Sequence, residues 1–131
     1  MIKMLVRANL LLTLPFGVAA LVNPEPLFLQ FGVALSAPGA LVARGYAATL
    51  IGYGILLWGV REVVDPDVLP ALLLSIVLFN GLEAAVQAIA AVQGVAAGAI
   101  YLNVAIHLLV TAWAIVLLVH TFRVRARRRH G

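Results

Sequence analysis

Two short series of polar residues interrupt apolar stretches at spacings that place each series on one helical face. Asn80, Glu83 and Gln87 form the first, and Asn103, His107 and Thr111 the second. Residues three or four apart are neighbours on a helix of 3.6 residues per turn, so each series makes a continuous polar line. Glu83 and His107 are the protonatable members, the pair that general acid–base catalysis in a cavity requires. The same pair can serve as an interhelical clamp, each group satisfying the other, or as the proton site of a coupled transporter. Arg44 and Tyr53 lie in a third apolar stretch. Arg44 can clamp an anionic head group or extend its flexible stem to the interface; Tyr53 can donate to the same site. Asn80, Gln87, Asn103 and Thr111 then complete a ligand-binding set or act as bundle glue.

Other chemistries lack their residues. There is no cysteine, which removes disulfides, thiolate metal sites and dithiol redox chemistry. One histidine with one carboxylate falls short of the ligand count for zinc or iron. His107 and His120 lie thirteen residues apart in one apolar stretch, so no axial pair for haem is evident. No cofactor and no metal are expected. The chain has no phosphate-cradling glycine loop, dinucleotide fingerprint, paired-histidine zinc motif or serine nucleophile elbow.

The elements that must hold these residues are membrane spans. Of 131 residues, 64% are hydrophobic and 11% charged, a balance that a water-soluble domain does not show. Apolar runs of about 20 residues match a hydrocarbon core of roughly 30 Å. Four such runs, at about 4–22, 39–60, 66–92 and 99–121, use most of the sequence. The expected fold is therefore all-α, a four-helix transmembrane bundle forming one integral membrane domain over residues 1–131. Lys3 and Arg7 before an apolar run resemble the start of a signal peptide; the run is read here as a retained first span. Pro15 should kink it or loosen a backbone hydrogen bond. After it, Asn23 can cap a short turn with Pro24 at its first position, and Leu27 to Gly32 should form an interfacial segment.

Local signals set the other boundaries. Ser36 and Pro38 mark the start of the second span. Gly45, Gly52 and Gly59 recur every seven residues there, with Ala48 on the same side, as expected for a close helix–helix contact. Asp65 should cap the third span, with Pro66 at its first position and Asp67 favoured by the helix dipole. Residues 94–98 supply the turn to the fourth span.

Charge fixes an orientation. The net charge is +4, and five arginines, at 123, 125, 127, 128 and 129, crowd the last nine residues. They follow an apolar span directly, which makes them an anchoring tail (122–131) for anionic lipid rather than a nucleic-acid surface. Lys3, Arg7 and Arg61 fall on the same side, so both termini are expected in the cytoplasm of a multi-pass cell-membrane protein. Trp58, Tyr46 and Tyr101 suit interfacial positions, and His120 and His130 the solvated inner boundary. Counting inward from the outer face at 1.5 Å per residue, Glu83 and His107 share a depth of roughly 12–14 Å, Gln87, Asn103 and Arg44 lie roughly 6–8 Å deep, and Asn80, Thr111 and Tyr53 near roughly 18 Å. A short turn makes the third and fourth spans antiparallel neighbours. Glu83 should then face His107, and Gln87 face Asn103, around an outer-half polar cavity gated by Arg44.

Three stretches carry a resemblance: Asn23-Pro24-Glu25-Pro26 with Phe31-Gly32; Ala43-Arg44-Gly45-Tyr46 with Gly52 and Gly54; and Asn103-Val104-Ala105-Ile106-His107-Leu108. Their arrangement resembles small uncharacterised bacterial four-helix membrane proteins of the broad DoxX-like kind. The resemblance implies a four-helix membrane fold and, through links of such proteins to oxidoreductase subunits, an accessory role in a larger complex. Small multidrug transporters offer a second comparison, but their membrane glutamate stands in the first helix, whereas here the first span has none. The expected function is binding of a lipophilic molecule with a polar head, a lipid or quinone, by an isolated protein, a homo-oligomer or an accessory subunit. The alternatives are an intramembrane acid–base enzyme, such as an isomerase or cyclase acting on a lipophilic substrate, and a proton-coupled transporter.

Overall fold

The computed structural model describes residues 1–62, 65 and 67–130, with side chains described through residue 127. Five helices follow in order: α1 (Ile2–Val22), α2 (Pro24–Leu29), α3 (Ala37–Val60), α4 (Leu69–Val92) and α5 (Ile100–His130). Among the described residues there is no strand, and α1, α3, α4 and α5 are each long and apolar enough to cross a membrane. The protein is an all-α four-helix bundle with a short extra helix between its first two long ones.

The bundle is built as two tight antiparallel pairs, α1 with α3 and α4 with α5, which touch each other less extensively. The pairs meet at the end that carries both termini. Leu5, Val6 and Leu10 of α1 pack there with Leu57 of α3, Leu69, Leu72, Leu73 and Ile76 of α4, and Val110, Ala114 and Leu117 of α5. The outer surfaces stay apolar: Leu11, Val42, Leu82 and Leu109 are all exposed. Surface of this kind is costly in water and costs nothing against lipid tails, so the fold is that of a small membrane protein.

Several boundaries and contacts differ from expectation. The helix α4 starts at Leu69, after a turn in which the Asp65 carboxylate accepts from the Asp67 amide at 2.7 Å. A start at 66 would place Pro70 at the fifth helical position, where a backbone N–H is needed; at Leu69 the proline falls in the first turn, where none is. The expected role of Pro66 itself lies outside the described residues, as do the side chains of Arg128, Arg129 and His130. α5 continues to His130 instead of ending near Thr121. Arginine is a good helix former, and cations suit a helix C-terminus. At 1.5 Å per residue α5 is about 45 Å long, so its basic turns project beyond a hydrocarbon core of roughly 30 Å. Asn23 makes no side-chain cap for α2, whereas Ser36 accepts from the Gly39 amide at 3.2 Å and starts α3.

The glycines of α3 divide contrary to expectation. Gly45, Gly52 and Gly59 face open space. The close approach of α1 and α3 runs instead through Gly54 against Leu14, and Gly17 against Leu50 and the Ala47 carbonyl. Periodicity marks a small-residue face; it does not say which of two such faces meets the neighbour.

At the end opposite the termini the loops are tied together. The Ala97 amide donates to the Phe31 carbonyl at 2.7 Å, and the Ala99 amide to the Gln30 carbonyl at 3.2 Å. Gly32 and Gly98 make this join possible. Both have positive φ, and a Cβ on either would stand 3.0–3.1 Å from the backbone of the other loop. Phe16, Phe28 and Phe31 form an aromatic trio with ring centroids 6.0–6.4 Å apart.

Candidate functional site

A cavity of about 320 Å3 lies between the two helix pairs, on the loop side of the packed end. Its floor is a hydrogen-bonded layer drawn from all four long helices. The His107 Nδ1 lies 2.8 Å from the Asn80 Oδ1. The Asn80 amide group donates to the Ile76 carbonyl at 3.0 Å and to Asn9 Oδ1 at 3.3 Å. The Asn9 amide group donates in turn to the Tyr53 hydroxyl at 3.1 Å. Tyr53 stacks on Phe79 with centroids 4.4 Å apart. Asn80 and Asn9 are almost wholly buried.

The direction of this chain sets the state of the imidazole. A backbone carbonyl can only accept, so the Asn80 amide nitrogen faces Ile76 and its oxygen faces His107. Nδ1 therefore carries the proton, and a neutral His107 presents its Nε2 as an acceptor. Among the described residues Nε2 has no hydrogen-bond partner, and no fully buried side-chain polar atom lacks one. Since His107 lines the cavity, Nε2 is the atom it offers there.

A second group of polar residues forms the cavity wall above that floor. Gln87 donates to Glu83 Oε2 at 3.1 Å, one turn along α4, and Asn103 of α5 donates to Gln87 Oε1 at 2.9 Å. Tyr46 of α3 lines the same space. Thr13 of α1 lines the space as well. The remaining wall is apolar or aromatic, including Leu50, Phe79, Ile106 and the Phe16–Phe28–Phe31 trio.

The eight residues singled out from sequence thus fall into three sets. Glu83, Gln87, Asn103 and His107 line the cavity; Asn80 and Tyr53 lie beneath it as its floor. Arg44 and Thr111 belong to neither. Arg44 Nη2 stands 3.7 Å from Glu25 of α2, and the Thr111 hydroxyl donates to the His107 carbonyl of its own helix at 2.8 Å. Arg44, expected as a gate, is not among the residues lining the cavity and stands beside Glu25 where α2 meets α3. Nor do Glu83 and His107 form a direct pair. His107 bonds Asn80, three residues before Glu83, and Glu83 bonds Gln87 on its own helix. Shared depth fixes height along the bundle; it fixes neither the direction about each helix axis nor the rotamer.

Sequence reasoning missed Asn9, Thr13 and Tyr46. Asn9, Thr13 and Phe16 follow an i, i+4, i+7 spacing on α1, and Tyr46, Leu50 and Tyr53 do the same on α3, which is the signal of one inward face. Asn9 lies inside the expected first span, and only its spacing to Thr13 and Phe16 marks it as inward-facing.

A group of charged side chains stands at the terminus-bearing end of the bundle. Glu62 receives both Lys3, at 2.9 Å, and Arg7, joining the start of α1 to the end of α3. Those two hydrogen bonds hold its carboxyl down at about 2. Arg61 lies over the Trp58 ring, 3.8 Å from its centroid, and Arg125 Nη2 stands 2.5 Å from Asp67. Comparison with known protein families, characterised proteins and solved structures finds no match to this chain.

Proposed function

We propose that this small membrane protein binds a lipophilic small molecule in the cavity between its two helix pairs. One observation carries the reading: a space of about 320 Å3 with mainly apolar walls and a few convergent polar groups, which is the general form of a small-molecule site. Glu83, Gln87 and Asn103 would meet a polar head, and His107 Nε2 would accept from it at the floor. The apolar part would rest on Leu50, Phe79, Ile106 and the phenylalanine trio. Leu12 and Val86 line the space yet are exposed on the bundle surface, so a lipid-soluble molecule would enter sideways from the bilayer.

Binding is favoured over an acid–base enzyme because the carboxylate and the imidazole belong to separate hydrogen-bonded groups. The orientation we assign has both termini in the cytoplasm, with the arginine tail against anionic lipid. Lys3, Arg7, Arg61 and Arg125 gather at one end, which supports it.

Ala90 lines the cavity, so Ala90→Phe should fill it. Native mass spectrometry of the wild-type protein should show a co-purified lipophile that this variant lacks, at unchanged helix content. Equal ligand in both proteins, or a wild-type thermal stability that no lipophile shifts, would count against the reading.

A further inference from the structure

The chemistry of the cavity wall goes further than its volume, and it names a class of ligand. Glu83 is the one acidic side chain lining the space, and no lysine or arginine lines it among the described residues. The basic residue placed nearest by sequence, Arg44, is turned to Glu25 instead. His107 makes no ion pair with Glu83; its Nδ1 is committed to Asn80. Five aromatic side chains line the same space as the carboxylate: Tyr46, Phe79 and the mutually packed Phe16, Phe28 and Phe31. The faces of such rings carry negative electrostatic potential and attract cations, above all where water is excluded.

A carboxylate and several ring faces around one apolar space are complementary to a positive charge carried on an apolar body. They are poorly matched to an anionic head, which would meet Glu83 without a fixed cation to offset it. From this juxtaposition we infer that the cavity selects a lipophilic amine or quaternary ammonium ion, with its charged nitrogen at Glu83 and Tyr46 and its apolar part among the phenylalanines. This assignment rests on the binding reading above.

Three matched probes test it in neutral-detergent micelles: benzyltrimethylammonium, its uncharged carbon isostere neopentylbenzene, and phenylmethanesulfonate. The methyl groups of isotope-labelled Ala90 and Ala96, both on the cavity wall, report occupancy by NMR and ignore probe dissolved in the micelle. The cation should shift both methyls saturably, with an affinity about ten-fold or more above that of the isostere. The sulfonate should not bind, and Glu83→Gln should remove most of the preference. Equal affinity for cation and isostere in the wild-type protein would overturn the charge assignment and leave the cavity as a binding site. Preference for the sulfonate would overturn it in the same way. No methyl shift with any probe would overturn both this assignment and the binding reading. The wild-type affinity ratio decides without any variant, so a misfolded Glu83→Gln protein leaves the test intact.

Discussion

Asn80 holds the floor of the cavity together. It donates to the Ile76 carbonyl and to Asn9 while accepting from His107, so one side chain links α1, α4 and α5. Interhelical hydrogen bonds inside membranes contribute about 0.6 kcal/mol each on average and up to about 1.7. Asn80→Ala removes several together and strands partners in a dry site, so it should cost about 1–3 kcal/mol in a reversible unfolding titration. It should also release the His107 ring from its tautomer, visible as a changed imidazole nitrogen spectrum. An unchanged spectrum would mean that Asn80 does not orient the ring. Glu62 supplies a second test at this scale, on the surface. Lys3 and Arg7 lower its folded value from 4.5 to about 2. A depressed carboxyl stabilises the fold above its unfolded value, and that contribution fades as pH falls from about 4.5 towards 2. Wild-type protein should therefore exceed Glu62→Gln in thermal stability at neutral pH. The gap should close across that acidic window, and added salt should shrink it because the group is exposed.

At the scale of elements, the contact between α1 and α3 depends on two glycines rather than on the seven-residue repeat. A Cβ at Gly54 would meet Leu14 atoms at 3.1 Å, whereas one at Gly52 would meet nothing within 4 Å. Gly54→Ala should destabilise by about 1–3 kcal/mol through overpacking, less any gain in helix propensity. Gly52→Ala should be neutral, or stabilise by up to about 1 kcal/mol, because alanine restricts the unfolded chain. The reverse ranking in a paired unfolding experiment would place the contact on the other face of α3.

At the scale of the molecule, two helix pairs close firmly at the terminus-bearing end and stand apart around a cavity at the other. The loops there bond to each other, Phe31 to Ala97 and Gln30 to Ala99, so the cavity has a backbone roof as well as a polar floor. The topology is testable because the chain contains no cysteine. Single cysteines at Ser36 and Gly94 should react with a membrane-impermeant maleimide added to intact cells, and one at Asp67 should react only after lysis. The opposite pattern would invert the orientation proposed from the charges.

Composition and local pattern were enough for the class of fold. Apolar runs near the thickness of a bilayer, interrupted by Ser36-Ala37-Pro38 and by glycine-bearing turns, leave few ways to satisfy a backbone in lipid other than four helices. They were also enough to bring Gln87 and Asn103 together, since a short turn between antiparallel helices sets their levels. What the linear order did not contain was rotation about each helix axis and the choice of neighbour. Those follow from how whole surfaces fit, and they decided that Arg44 turns to Glu25, that His107 bonds Asn80 rather than Glu83, and that Asn9 of α1 completes the floor. Spacing along a chain orders residues on one helix, but a site shared by four helices exists only once packing has chosen which faces meet.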